Sequence, residues 1–103
     1  MIARTWHGVV PEEKGDAYLA YLKRTGVVDL EATAGNRGVY ILRRTAGDQT
    51  HFWLMSLWDS YDSIRAFAGK DVERARYYPE DAAFLLELEP TVTHYEVAYA
   101  SGK

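Results

Sequence analysis

The sequence predicts an α+β fold in the order β-α-β-β-α-β, on three observations. Four runs rich in β-branched and aromatic residues, at 2–10, 38–45, 50–58 and 92–100, are separated by stretches of helical character. The middle two runs flank AGDQ, a glycine-containing turn of hairpin length. A chain of 103 residues suits a single domain, residues 1–103, with one modest core. This order is the split βαβ of a ferredoxin-like fold: a four-stranded antiparallel sheet with helices on one face.

Each element has a local cause. IARTWHGVV (2–10) alternates loosely and reads as the first strand. PEEKGDAYLAYLKRTG follows as a helix, with Pro11 at the first position, Glu12 and Glu13 at its positive end and Gly26 as the stop. Tyr18, Tyr21, Leu22 and Thr25 share one face of it. VVDLEATAGN (27–36) shows no clear period and is expected to wander back to the second strand. After the third strand, Asp59 or Ser60 caps a helix whose inner face holds Ile64, Phe67 and Ala68, and Gly69 ends it. Asp71 is expected to cap a further helical turn ended by Pro79, whereas EDAAFLLELEP reads equally as short helix or extended loop.

The phase of the strands carries a further expectation. Phe52, Leu54 and Trp58 point one way, with Ser56 among them; His51, Trp53, Met55 and Leu57 point the other. Val39 and Ile41 likewise oppose Tyr40 and Leu42. An antiparallel sheet with one wet face should be polar there, and this one is apolar on both. The open face is therefore expected to pack against a second copy of the chain, giving a homodimer and a dimeric α+β barrel.

Composition excludes several classes. A formal charge of −3 with dispersed arginines offers no basic stripe for nucleic acid. The absence of cysteine removes disulfides, thiolate catalysis and iron–sulfur clusters. No long apolar segment opens the chain or reaches bilayer length, so a cytoplasmic protein without membrane contact is expected. His7, His51 and His94 have no compact metal-ligand spacing, and no metal site or resident cofactor is expected. Phosphate-binding glycine motifs and a nucleophile elbow are also missing. Glu80, Asp81, Glu87 and Glu89 read as a solvated face.

Aromatic residues are the outstanding feature: three Trp, three Phe and eight Tyr. Trp6 and His7 lie on opposite faces of the first strand. If His7 faces the helices it can meet Phe67 and Tyr77 and serve as a base, because neutral imidazole accepts protons near pH 6.5. Tyr77 and Tyr78 are the candidate donors to the resulting oxyanion. Arg65 would supply charge at the rim, and Trp6, Trp58 and Phe67 would wall a small aromatic ligand. Taken singly, each of these residues also has a plain packing role, and His51 and His94 read as surface or interface residues.

The architecture, with SLWDS (56–60) followed by FAGKDVE (67–73), resembles the antibiotic biosynthesis monooxygenase-like family of small dimeric α+β barrel proteins. The resemblance implies a tryptophan closing the third strand, as Trp58 does, and cofactor-independent oxidation of polyphenolic substrates by dioxygen. Its haem-degrading branch uses an asparagine on the first strand, a tryptophan near the end of the next helix and a proximal histidine. The matching places hold His7, Phe67 and Tyr77, so the cofactor-free branch is the reading taken. A non-catalytic small-molecule binder or accessory barrel is the alternative, ahead of a haem-binding protein.

Overall fold

The computed structural model describes residues 1–102. Strand β1 (Ile2–Pro11) leads through a 3-10 turn (Glu12–Lys14) into helices α1 (Gly15–Arg24) and α2 (Gly26–Ala32). The hairpin β2 (Asn36–Ala46) and β3 (Gln49–Trp58) follows, then α3 (Tyr61–Ala68), the short α4 (Asp81–Phe84) and β4 (Thr93–Glu96). The sheet runs β2-β3-β1-β4, every neighbour antiparallel, which is the ferredoxin-like order.

Four local expectations need correction. Gly26 starts a helix instead of ending one: α2 occupies the stretch without a clear period, and Val28 at its surface is exposed. Pro11 closes β1, and its fixed φ of −56° turns the chain into the 3-10 segment. Between Gly69 and Glu80 the chain is not helical, so the turn expected from Asp71 to Pro79 does not form. The segment 71–80 runs as turns and extended backbone, pinned by an isolated bridge between Arg74 and Thr91. Two backbone bonds flank that bridge, Ala75 N–H to the Pro90 carbonyl at 2.9 Å and Val92 N–H to the Glu73 carbonyl at 2.8 Å. β4 is also shorter than the alternation of 92–100 suggested.

Register fixes the two faces. Trp6 stands opposite Leu54 and His7 opposite Trp53, so alternate residues of β1 and β3 share a side. Arg4, Trp6, Gly8 and Val10 face the helices together with Phe52, Leu54, Ser56 and Trp58. There they meet Tyr18, Tyr21 and Leu22 of α1, Leu30 of α2 and the Ile64–Phe67 face of α3. Val10, Tyr18, Phe52, Trp58 and Ile64 are fully buried. At ~25 cal/mol per Å² of apolar surface, each such side chain adds on the order of 1.5–3 kcal/mol.

The opposite face carries His7, His51, Trp53, Met55, Tyr40, Leu42 and Tyr95. None of the described helices covers it, and Tyr40, Leu42 and Tyr95 are 52%, 51% and 56% exposed. None of the described helices is long and apolar enough to cross a membrane.

Candidate functional site

A cavity lies between the sheet and the segment 69–92, which folds back over α1, α2 and α3. Gly69 makes that return possible: it ends α3 at φ 90°, a conformation that penalises any side chain. Trp6 reaches the cavity because Gly8, two residues on and on the same side, leaves room for its indole. A methyl group at Gly8 would collide with the Trp6 ring and with Leu85.

Trp6, Phe67, Tyr77, Tyr78, Tyr18 and Leu54 supply the aromatic and apolar wall, and Arg4, Arg76, Asp81 and Ser56 the polar groups. The free space is about 40 Å³. That is room for roughly three waters, far below the ~300–1,000 Å³ of a typical ligand pocket. The segment 69–92, a lid over the site, fills it with its own tyrosines.

The lid is held by named bonds. Trp6 Nε1–H donates to the Tyr77 hydroxyl at 3.1 Å, and that hydroxyl donates to the Glu89 carbonyl at 2.5 Å. Tyr78 O–H donates to Asp29 Oδ2 at 2.5 Å. The Arg4 guanidinium donates to the Val72 carbonyl, and to that of Arg74 at 3.1 Å. Asp81 accepts from the Tyr18 hydroxyl at 2.8 Å and from the Tyr78 N–H at 2.6 Å. Burial raises the pKa of Tyr77, against a smaller opposing effect of the Trp6 bond. Burial and then the bond to Asp29 raise that of Tyr78. Burial and then Asp81 raise that of Tyr18. All three phenols stay neutral and donate throughout the neutral range.

The site residues named from the sequence separate into two groups. Trp6, Phe67, Tyr77 and Tyr78 meet at the cavity. His7 does not, because strand alternation puts it on the open face once Trp6 turns inward. There its Nδ1 meets Glu89 Oε2 at 2.6 Å and its Nε2 meets His51 Nδ1 at 3.0 Å. Its ring lies 5.0 Å from that of Trp53. Trp58 is fully buried behind Phe67, 6.2 Å between ring centroids, and its Nε1–H donates to Ser56 Oγ at 2.8 Å. Arg65 projects outward, pairs with Asp62 at 2.6 Å and lines a separate cleft of about 550 Å³ with Tyr61, Glu73 and His94.

Reading the acids near residue 80 as one solvated face is also corrected. Asp81 is 4% exposed and Glu89 holds His7, so only part of that run is spent on solvent. Arg4 and Asp81 are the polar groups that sequence reasoning missed. Arg4 could have been found: it shares the inward phase of β1 with Trp6, Gly8 and Val10. Asp81 carries no comparable local signal. Among the described residues no cluster of three or more His, Cys, Asp or Glu could hold a metal ion.

No family model matches the sequence, and no curated protein is similar to it at a significant level. Solved structures are similar in fold. A Bacillus cereus protein provisionally assigned as an antibiotic biosynthesis monooxygenase superposes with a TM-score of 0.71 at 14% identity, over 100% of this chain and 96% of its own. The haem degrader MhuD of Mycobacterium tuberculosis, solved with two haems in its active site, gives 0.66 at 18% identity over 99% and 100%. An MhuD variant with two manganese protoporphyrin IX molecules per active site gives 0.67 at 18%, over the full length of both chains. This chain therefore shares the fold of these proteins, the α+β ferredoxin-like arrangement that its sequence led us to expect.

Proposed function

We propose that this protein is a monooxygenase of the cofactor-independent kind, oxidising a small aromatic or polyphenolic molecule with dioxygen beneath the lid segment. One observation carries the reading: Trp6, Phe67, Tyr77 and Tyr78 enclose a buried carboxylate, Asp81, in a cavity with little room for water. A substrate of this class supplies its own electrons once a proton is removed. Asp81 takes the role for which His7 was the sequence candidate, since it is the carboxylate that lines the cavity and His7 is outside it. Each Asp81 oxygen accepts one hydrogen bond and retains a lone pair for a substrate proton.

The chemistry balances without a further reductant. An activated methylene carbon loses one proton to Asp81, and the carbanion reduces dioxygen. One oxygen atom becomes the new carbonyl, and the other leaves as water with the two hydrogens that the carbon has lost. Tyr77 and Tyr78, neutral through burial, would donate to the oxyanion that develops on the ring once a shift of the lid frees their hydroxyls from the Glu89 carbonyl and Asp29. Entry requires the lid to shift, because about 40 Å³ does not hold an aromatic ring. The protein works as a homodimer in this reading, its exposed Tyr40, Leu42 and Tyr95 covered by the same face of a second copy.

Dioxygen uptake in chelator-treated buffer, with anthrone and simple polyphenols as probes, tests the oxidation. One dioxygen should be consumed per substrate, and Asp81→Asn should slow uptake by about 10²-fold or more. Unchanged uptake in that variant would remove Asp81 as the base. Binding without uptake would favour the second reading, a non-catalytic binder. That reading has its own support, since Asp81 and both lid hydroxyls already have partners within the protein. A haem titration separates the remaining branch: a Soret shift on mixing would point to porphyrin binding.

A further inference from the structure

Arg4 is unusual for a residue with so ordinary an address. It lies mid-strand on β1, only 4% exposed, and its guanidinium lines the cavity. Among the described residues no carboxylate pairs with it. Its bonds go to the Val72 and Arg74 carbonyls and to Nε2 of His94 at 3.2 Å. Carbonyl dipoles solvate a buried cation but do not cancel its charge. Three bonds use three of the five N–H groups of a guanidinium, leaving two to donate.

The surrounding charges point the same way. Arg76 lines the same cavity, its guanidinium 4.9 Å from the Phe67 ring and 3.4 Å from Asp29. Asp81 is the one carboxylate among the lining residues, and its two oxygens are occupied by Tyr18 and Tyr78 instead of either arginine. His94, accepting from Arg4 at Nε2, adds no positive charge. Burial and the Arg4 charge both lower its pKa. Asp29 therefore counters Arg76, and Arg4 is left as the lining cation whose bonded partners are all neutral.

We propose that Arg4 anchors an oxyanion of the bound molecule, so that the ligand of this site is an aromatic acid with its carboxylate pointed at β1. This rests on the aromatic-ligand reading above and adds the charge of the ligand to it. A neutral analogue of the same shape would leave the guanidinium without its counter-ion.

Benzoate and benzamide, nearly equal in shape and opposite in this respect, are the probes. Binding to the full chain is followed by calorimetry and by the indole N–H resonance of Trp6, which sits in the cavity, with that of Trp53 on the other face as the control. Benzoate should bind about tenfold or more tightly than benzamide. Arg4→Gln should abolish that preference, bringing benzoate down to the affinity of benzamide. Equal binding of the two probes to the wild type overturns the inference and leaves the aromatic pocket standing. A preference that survives in folded Arg4→Gln overturns it as well. Should Arg4→Gln not fold, Arg76→Gln decides: a retained preference supports Arg4, and a lost one transfers the anion to Arg76. Failure of both probes to move the Trp6 resonance overturns the pocket reading and the inference together.

Discussion

The two faces of this sheet are built from alternate residues of the same strands, yet they have different physics. On the helix side, Trp58 and Phe52 are fully enclosed, and the buried polar groups Arg4, Ser56 and Asp81 have protein partners. On the other side Tyr40, Leu42 and Tyr95 remain half exposed, around a hydrogen-bonded row of Glu89, His7 and His51. Strand alternation alone separates them. A single residue step along β1 moves from a cavity wall, Trp6, to the outer row, His7. The proposed chemistry belongs to the face that excludes water, and the proposed association to the face that does not.

The largest test removes the closed face's anchor. Trp58→Ala should cost about 3–5 kcal/mol in urea unfolding, through the void it leaves and the lost bond to Ser56. Trp53→Ala, on the other face, should cost well under half of that in a dilute monomer. Equal losses would mean that the open face is already covered by something as well packed as the helices.

The second test addresses that cover. Tyr40→Asp combined with Leu42→Asp places two charges on the exposed face and should weaken self-association by on the order of 3 kcal/mol or more. Sedimentation velocity should show a dimer becoming a monomer, with the far-ultraviolet circular dichroism unchanged. A wild type that sediments as a monomer at every accessible concentration would break the homodimer reading.

Much of the division between faces was legible before any coordinates. The parity of Phe52, Leu54 and Trp58 against Trp53, Met55 and Leu57 is a local property, and register preserves it. The opposition of Trp6 and His7 was equally plain, but which of them faced the helices depends on how β1 pairs with β3, a long-range fact. Arg4 follows from the same parity once Trp6 is placed. The lid is different. Asp81 is buried because Tyr18, 63 positions away, donates to it, and no pattern near residue 81 announces that. α2 was missed for a related reason: a seven-residue helix is too short to display a period.

Alkaline pH gives a smaller, graded effect on the closed face. Tyr18, Tyr77 and Tyr78 have raised pKa values when folded, so above the ordinary tyrosine value near 10 the unfolded chain loses protons that the folded one keeps. Each such group lowers stability by up to ~1.4 kcal/mol per pH unit. Arg4 acts in the opposite sense. Burial lowers its pKa to about 10, so the folded chain sheds that proton first and gains stability as pH rises further. Three groups oppose one, and urea midpoints should fall from about pH 10 upward. Tyr18→Phe should flatten the fall.

The smallest effect is at the start of α3. Ser60, in extended backbone, accepts from the Ser63 N–H at 3.3 Å, a long bond for a helix cap. Ser60→Ala should therefore cost near the lower end of the usual range, about 0.5–1 kcal/mol. Ser60→Asp should recover most of it, because a carboxylate both caps and complements the helix dipole. The helix carries Ile64 and Phe67 into the closed face and contributes nothing to the open one. Its loosening should lower the urea midpoint of the monomer while leaving the dimer dissociation constant where it was. If both moved together, the two faces would be coupled through β3, and the separation of cavity from interface would be an incomplete account of this sheet.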